Sequence, residues 1–478
     1  MSKFWLLQLI LLMYSSLMIN AQSTLCPQDT QCHILKRFDS NFEIKMEKQW
    51  ESKEYVAQFG TPVIQDIDGD CKPEILIAGY QGHNDDWVAS KEILIYDAEE
   101  LNLKYKISTA YFFVWKNSFV VLSLGNESRV IVACADVGFN NISVRNKLVC
   151  YNMDGSIYWI SDQKFGNNVD LESGYPSLAD FNQDGIPEVF IHNEIFNAET
   201  GVKLVDGGKN GCGVSFHSSN SISANLDDDP SDLELAAGYT IYKVQIINTN
   251  GMTGNQMIPY NMMIDGKLID GQTSVIDMNL DGQPDVFVFS AGSGYTYLYI
   301  YSFKNNKCEL KAQYSFNEFK LFGNLCIGNI DHNPEPDIII VSSDTLRKFT
   351  YNNTPFILET WKLKIMEGSG YAGVSMFDFN GDGIQEIVVR DEEKIMIISE
   401  INGIPVVIAE QECISGTSGE MPIIAGINNN NDAIICVTCA NLFEDYNGRL
   451  TIFGPPEGQR WAPARKIWHQ YNYNPLFI

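Results

Sequence analysis

Short apolar runs bounded by turn residues recur along the whole chain. After Asp66 come EILIAGY, KEILIYDAEE and LNLKYKIST, and FVVLSL then opens the next group. Runs of this kind, rich in Ile, Val, Leu and Tyr and separated by Asn, Asp, Gly and Ser, are typical of β-strands. The pattern predicts an all-β chain with about four short strands in each unit of about fifty residues.

The segment DFNGDGIQEIVVRD, which starts at Asp378, joins an acidic turn to one of these strands. Its oxygen-bearing positions are the first, third, fifth and ninth side chains and the seventh carbonyl, on Asp378, Asn380, Asp382, Glu386 and Ile384. Ca²⁺ takes six to eight oxygen ligands at about 2.3 to 2.6 Å, which alternate side chains of a tight loop can supply. Gly383 at the sixth position permits the sharp turn. The twelfth position lacks the glutamate of an EF-hand and the flanks predict strands, so the segment predicts a calcium loop that leads into a strand.

The same loop recurs in full at four other places. The predicted ligands there are Asp66, Asp68, Asp70, Lys72 and Glu74; Asp180, Asn182, Asp184, Ile186 and Glu188; Asp277, Asn279, Asp281, Gln283 and Asp285; and Asn329, Asp331, Asn333, Glu335 and Asp337. A weaker copy begins at Asn225, where one extra residue moves the acid to Glu234, and it is predicted to bind weakly or not at all. Copies anchored at Ser123 and Gly426 keep the strands without the acids, so no metal is predicted there. The alternative for each full loop is an Asp/Asn-rich turn satisfied by its own backbone.

The eight anchors lie at positions 66, 123, 180, 225, 277, 329, 378 and 426, which are 45 to 57 residues apart. Four strands per unit match the blade of a β-propeller, so the spacing predicts one closed ring of eight blades, with seven as the alternative. The segment NFEIKMEKQW, residues 41–50, is similar to the strand ILETWKLKIME before the Asp378 unit. It is predicted to supply the outer strand of the last blade and so to close the ring.

At these residues the chain resembles the FG-GAP or VCBS repeat family, the repeat of integrin α-chain heads and of many secreted bacterial proteins. The family's Phe-Gly pair stands at Phe59-Gly60 before Asp66 and at Phe322-Gly323 before Asn329. The resemblance covers about residues 55 to 470, and eight-fold repetition makes it specific. It implies a propeller with calcium in its loops, placed away from the face that meets a ligand. Two loops depart from the pattern, because Cys71 and Pro334 replace the glycine of the sixth position.

Residues 1–21 carry an apolar run, FWLLQLILLMY, and a small residue at Ala21, which predicts a cleaved signal peptide; an uncleaved anchor is the alternative. Residues 22–40 form a short N-terminal segment, and residues 41–478 are assigned to the propeller. The chain is therefore expected to be secreted or on the cell surface, without a membrane span after cleavage. Its formal net charge of −27 argues against a nucleic-acid partner and suits a chain that collects divalent cations.

Eleven cysteines in an exported chain permit disulfides, with at least one left unpaired. Two pairings are predicted as plausible, Cys26 with Cys32 and Cys134 with Cys150. The remaining motif is Cys436-x-x-Cys439, which lies in a strand where residues three apart point to opposite faces. Both of its cysteines are therefore interpreted as small buried hydrophobic residues rather than as a zinc or redox site.

The C-terminal stretch RWAPARKIWHQYNYNPLFI is aromatic and basic, unlike the rest of the chain. It resembles a W-x-P-A-R-x-x-W-N-Q-Y-x-Y segment that follows such repeats in secreted proteins of gliding bacteria, with His469 at the usual Asn. Two interpretations stay open, an aromatic strap across the last blade and a binding patch. A strap would bury aromatic side chains that are unfavourable in water, namely those of Trp461, Trp468, Tyr471 and Tyr473.

No catalytic motif is found in the sequence, since its six histidines are scattered and none of the familiar hydrolase, protease or nucleotide-binding fingerprints occurs. The one polar cluster to inspect is Cys212, Ser215 and His217, for which a loop-capping role is preferred. Two functions follow from the resemblance. The first is an exported, calcium-binding, adhesion-type module for an extracellular protein or glycan, with a monomer compatible with the sequence. The alternative is a polysaccharide-degrading enzyme similar to the rhamnogalacturonan lyases.

Overall fold

The structure is a computed structural model. It describes residues 42–80, 89–114, 119–124, 127–134, 144, 146–166, 174–215, 218–227, 229, 231–292, 295–316, 322–428, 431–440 and 447–468. The predicted signal peptide, the segment 22–40, the Cys26–Cys32 pair, His217 and His469 lie outside these residues. No helix of the described chain is long and apolar enough to cross a membrane.

Thirty-five β-strands make up the regular structure of the described residues. Those of the first half are β1 (Glu47–Glu51), β2 (Val56–Ala57), β3 (Val63–Gln65), β4 (Glu74–Ala78), β5 (Ala89–Asp97), β6 (Leu103–Val114), β7 (Phe119–Leu124), β8 (Glu127–Cys134), β9 (Lys147–Asn152), β10 (Ile157–Ile160), β11 (Ser177–Ala179), β12 (Glu188–Ile191), β13 (Glu194–Asn197), β14 (Lys203–Asp206), β15 (Val214–Ser215), β16 (Ser218–Ser219), β17 (Ile222–Ala224), β18 (Glu234–Ala237), β19 (Thr240–Gln245) and β20 (Gln256–Asn261). Those of the second half are β21 (Gln272–Ile276), β22 (Asp285–Gly292), β23 (Tyr295–Lys304), β24 (Lys307–Phe316), β25 (Phe322–Gly328), β26 (Asp337–Ser342), β27 (Thr345–Tyr351), β28 (Ile357–Lys364), β29 (Val374–Phe377), β30 (Glu386–Arg390), β31 (Lys394–Ile401), β32 (Ile404–Glu412), β33 (Ile423–Gly426), β34 (Ala433–Ala440) and β35 (Asn447–Gly454).

These strands form eight four-stranded antiparallel blades in a ring, as the spacing predicted. Blades one to three are β3–β6, β7–β10 and β11–β14, and blades four to seven are β17–β20, β21–β24, β25–β28 and β29–β32. Blade eight takes β33, β34 and β35 from the end of the chain and β1 from its beginning. The small hairpin β15–β16 lies between blades three and four, and β2 adds to the edge of β35.

The inner strands of each blade are continuous apolar runs because they are covered on both sides. All six residues of β26, DIIIVS, are buried, and so are all five of β30, EIVVR. The outermost strands are partly open to solvent, as in β32, where every residue is exposed or half-buried. The hydrophobic core thus lies between neighbouring blades, and each blade depends on both neighbours for its burial.

The ring is closed by the strand that the N-terminal segment was predicted to supply. β1 pairs antiparallel with β35, from Glu47 opposite Gly454 to Glu51 opposite Thr451. Trp50 of this strand also packs edge-on against Tyr96 of blade one, with ring centroids 5.5 Å apart. One end of the chain therefore completes the sheet that the other end begins.

The C-terminal segment lies against both sides of this closure. Trp461 is buried and packs edge-on against Phe379 in blade seven, with ring centroids 4.7 Å apart. Trp468 exchanges two backbone hydrogen bonds with Ile64 in blade one, with N···O distances of 2.6 and 2.9 Å. The described part of the segment therefore connects blade seven with blade one; Tyr471 and Tyr473 lie outside the described residues.

The cysteines differ from their predicted arrangement in two respects. Cys134 and Cys150 are both free and buried, because Cys134 lies opposite Lys147 and Cys150 opposite Ile131, out of register with each other. Cys439 is not a free buried residue but forms a disulfide with Cys413, with a Cα–Cα distance of 4.8 Å. Its neighbour Cys436 is free and buried, as predicted. The alternation of side chains along a strand explains why one cysteine of the motif is bonded and the other is free, because it directs the two side chains to opposite faces of β34. Cys71, in the first acidic loop, is also disulfide-bonded.

Removal of the Cys413–Cys439 bond is expected to cost about 3 kcal/mol of unfolding free energy, because the bond closes a loop between residues 26 positions apart. The variant with Cys413→Ser and Cys439→Ser should show this loss in urea denaturation. The control is Cys308→Ser, at a free and only partly buried cysteine, for which a much smaller change is expected. Equal denaturation midpoints for the wild type and the double variant would contradict the prediction.

Candidate metal sites at the inner turns

Six acidic loops occupy equivalent positions in the propeller. Each connects the innermost strand of its blade to the second strand, after β3, β11, β17, β21, β25 and β29. We call these connections the inner turns. Those of blades six and seven touch, since Asn329 and Gln385 exchange two hydrogen bonds of 2.8 and 3.0 Å. All five predicted ligand sets therefore fall on inner turns.

The inner turns of blades three, five and seven share one hydrogen-bond pattern. In blade seven, Asp378 accepts hydrogen bonds from the backbone N–H groups of Asp382, at 3.1 Å, and Gly383, at 2.8 Å. The Asn380 amide donates to Asp382 Oδ2 at 2.9 Å, and Ile384 N–H donates to Asp382 Oδ1 at 2.9 Å. The equivalent bonds in blades three and five differ from these by at most 0.1 Å. The sixth position in all three is a glycine with φ of +89° to +92°, a conformation that other residues rarely adopt.

The ninth-position acid of each of these three turns is buried at the start of the second strand. Glu386 accepts a hydrogen bond from Phe379 N–H at 3.0 Å, and Glu188 and Asp285 do the same in their own turns at 2.9 and 3.3 Å. Burial raises the pKa of Glu386 to about 8 and the pKa values of Glu188 and Asp285 to about 7, and the neighbouring loop acids add to this rise. A bound cation would offset both the burial and the mutual repulsion of these carboxylates.

Lysines contact the acids of the other three inner turns. Lys104 Nζ lies 2.8 Å from Asp68 Oδ2 and 2.7 Å from Glu74 Oε1 in blade one. Lys243 Nζ lies 2.5 Å from Asp227 Oδ2 in blade four. Sequence reasoning did not single out these lysines, because they lie on the third or fourth strand, where an isolated lysine is typical of a solvated face.

Blade six has the most buried of the three lysines. Lys348 Nζ lies 2.7 Å from Asp331 Oδ2 and 3.2 Å from Asp337 Oδ2, and it also contacts Glu400 Oε2 of blade seven at 2.8 Å. Burial raises the pKa of Asp337 to about 6, and the nearby Lys348 opposes the rise. Among the described residues, no lysine or arginine forms an ion pair with a loop acid of blades three, five or seven.

Three carboxylates converge in two of the turns that carry a lysine. One oxygen each from Asp66, Asp68 and Glu74 lies within 4.8 Å of the others, and the same holds for Asp227, Asp232 and Glu234. Glu234 does lie at the start of its strand, as the shifted copy predicted, and its carboxylate accepts a hydrogen bond from Leu226 N–H at 2.8 Å. Convergence by itself does not identify a metal site here, because an ammonium group also draws carboxylates together.

The donor set of blades three, five and seven fits a calcium ion. The available ligands are carboxylate, amide and carbonyl oxygens, which are the hard donors that Ca²⁺ takes. No thiol or imidazole belongs to the set in these blades. The residues that would hold the ion are the first, third, fifth and ninth side chains and the seventh carbonyl of each turn. When bound, the ion would neutralise the three carboxylates and link the turn to the second strand.

Two other polar clusters of the described chain, around Arg390 and around Cys212, are buried. Arg390, 1% exposed, forms an ion pair with Glu420 and donates to the Thr438 carbonyl, and burial lowers its pKa to about 9. Burial raises the pKa of Cys212 well above its ordinary value, and Ser215 Oγ accepts a hydrogen bond from Ala291 N–H at 2.9 Å. Neither residue therefore has the environment of an activated nucleophile.

Comparison with solved structures places the chain among propeller proteins. The Vibrio cholerae biofilm matrix protein Bap1 matches with a TM-score of 0.59 and 13% identity, over 91% of this chain and 94% of that chain. The Bacillus licheniformis rhamnogalacturonan lyase PL11 and the rhamnogalacturonan lyase YesW each match with a TM-score of 0.50, at 14% and 13% identity, over 84% of this chain and 74% of theirs. No protein-family model and no curated protein matches the chain. This chain is an eight-bladed β-propeller with acidic inner turns, and at these identities the likeness concerns the fold alone.

Proposed function

We propose that this chain is an exported β-propeller of the FG-GAP/VCBS type, stabilised by calcium, that acts as a binding module for an extracellular glycan or protein. The observation that carries the proposal is the common geometry of the inner turns in blades three, five and seven. Each places three carboxylates and an asparagine on one turn, with the ninth-position acid buried at the start of the second strand. Turn chemistry alone requires no such set of acids, whereas a calcium site does.

Calcium has a structural role in this proposal. The inner turns belong to single blades, and each ion would fasten a turn to the second strand of the same blade. A partner would then meet the opposite face of the ring, where the chain enters each innermost strand and turns between the second and third strands. Binding residues usually lie on loops that a rigid scaffold positions, which supports a partner site on the opposite face and a structural role for the inner turns.

Binding is preferred over catalysis because the two most buried basic groups of the described core, Lys203 and Arg390, are already paired with acids. Lys203 Nζ lies 3.3 Å from both Glu194 Oε2 and Asp206 Oδ2, and the Lys203 side chain is completely buried. The side chain of Arg390, which pairs with Glu420, is 1% exposed. A lyase needs a base that can reach its substrate. The lyase alternative is retained because two rhamnogalacturonan lyases of known structure share the fold. Bap1, whose name describes a biofilm matrix protein, supports an extracellular role of the binding type.

Immobilised polysaccharides test the proposal directly. The mature chain, in calcium buffer, is applied to neutral glucans and to the acidic polymers rhamnogalacturonan and polygalacturonate. We expect retention on one of these polymers without release of unsaturated products, followed by ultraviolet absorbance. Release of such products would establish the lyase alternative. Retention by none of the polymers would contradict the glycan part of the proposal and leave a protein as the partner.

A further inference from the structure

We propose that Lys104, Lys243 and Lys348 take the place of the metal ion in blades one, four and six, so that calcium binds only in blades three, five and seven. This inference rests on the proposed calcium binding and narrows it to particular loops. It divides six turns of similar sequence into two classes, one neutralised by an ion from solution and one by a side chain of the protein itself.

Lys348 gives the strongest case because it is enclosed. Its side chain is 3% exposed, and its ammonium group makes short contacts with three carboxylates, those of Asp331, Asp337 and Glu400. Glu400 in turn accepts a hydrogen bond from Trp361 Nε1 at 2.7 Å. An ammonium that contacts the acids at 2.7 to 3.2 Å occupies the space that a cation at about 2.3 to 2.6 Å from the same oxygens would need. Because the pocket is closed, the lysine cannot leave without exposing buried acids.

The strand register explains how a lysine of the third strand reaches the turn in blades four and six. Lys243 lies directly opposite Glu234, the ninth-position acid of blade four. Lys348 lies two residues before Thr350, which is opposite Asp337, so it projects from the same face of its strand. In blades three and five the residues opposite the ninth-position acid are Asn197 and Ser302, which carry no charge. In blade five, Lys304 and Lys311 act on Asp281 only at longer range, and among the described residues neither forms an ion pair with the turn. The two classes therefore differ in direct contact between a lysine and the loop acids.

The turns themselves differ in the same way. The three turns without a lysine have asparagine at the third position, which donates to the fifth-position aspartate, and glycine at the sixth. The turns with a lysine have aspartate at the third position, namely Asp68, Asp227 and Asp331, and each of these contacts the lysine. None of them has glycine at the sixth position. The third-position carboxylate is thus paired with an internal positive charge, and the two features occur together.

The number of bound calcium ions tests the inference. The mature chain is stripped with chelator, saturated with Ca²⁺, desalted and analysed by native mass spectrometry. We expect three ions per chain. Five or six ions would overturn the inference while leaving the calcium proposal intact. No bound ion would overturn the calcium proposal itself, and the two failures are therefore distinguishable.

Matched variants locate the ions. Glu386→Gln and Asp285→Asn should each lower the count to two, whereas Glu74→Gln and Asp337→Asn, at the same loop position in lysine-bearing turns, should leave it at three. Lys104→Met tests the lysine itself; Lys104 is partly exposed, so its loss should not prevent folding. We expect a fourth ion in this variant and a larger increase in melting temperature on calcium addition. A count that falls in the Asp337→Asn variant, or that stays at three in Lys104→Met, would show that the lysines do not exclude calcium.

Discussion

Chelation of calcium is expected to lower the melting temperature of this protein by on the order of 10 °C. A ligand that binds only the folded state stabilises it by RT ln(1 + [L]/Kd), which is about 2.7 kcal/mol per site at a hundredfold excess over Kd. Three sites in one cooperative ring would contribute about 8 kcal/mol. The physical reason is that each of blades three, five and seven carries three carboxylates on one turn, one of them buried, and that the neighbouring acids repel one another. Thermal unfolding followed by circular dichroism, with EDTA and then with excess Ca²⁺, measures the effect.

The Asp382→Ala variant is the companion to this experiment. Asp382 connects the Asn380 amide and Ile384 N–H within the turn, so its loss should remove one calcium site and a part of the stabilisation. Partner binding at saturating calcium should stay nearly intact in this variant. If EDTA instead left the melting curve unchanged but abolished partner binding, calcium would belong to the functional face and the structural role would be wrong.

Disruption of the closing strand is expected to have the second large effect. Ser52 follows β1 directly and is buried. It binds the N-terminal segment to β35 through two hydrogen bonds. Its N–H donates to Leu450 O at 2.8 Å, and its Oγ accepts from Leu450 N–H at 3.1 Å. Ser52→Pro removes both bonds and introduces a ring into a packed position, at a cost of about 3 kcal/mol or more. Detachment of β1 would leave blade eight with three strands and an open edge, which favours aggregation.

The matched control for this variant is Ser52→Ala, which keeps the backbone N–H and loses only the hydroxyl. We expect a loss of about 1 kcal/mol for the control and a several-fold larger loss for the proline variant in urea denaturation. Limited proteolysis should release the N-terminal segment early from Ser52→Pro and late from the other two proteins. Equal stability of the proline and alanine variants would show that closure by β1 contributes little.

The repeat and the blade number could be predicted from the sequence because they depend on local order, and the closing strand could be predicted because it repeats the pattern of another outer strand. A strand followed by an acidic turn and a second strand is a contiguous segment, so each copy from Asp66 to Asp378 is visible in the sequence. Similarity between residues 41–50 and another outer strand was enough to predict the closure with β35. The acids that begin the second strands, such as Glu386, were identified for the same reason, since the turn residues that they contact lie within nine residues.

What the sequence could not provide are contacts between strands that are distant along the chain. Lys348 meets Asp331 and Glu400 only because β27 pairs with the second strand of its own blade and the Lys348 side chain also reaches blade seven, and no local pattern marks that lysine. Cys439 pairs with Cys413 rather than remaining a buried free residue because β34 directs alternate side chains to opposite faces, one of which meets the connection from blade seven. The sequence thus determined which turns carry acidic and amide side chains at regular positions, through spacing within single loops. Tertiary structure alone decided which of those turns already contain a positive charge, because that depends on what the neighbouring strands bring to them.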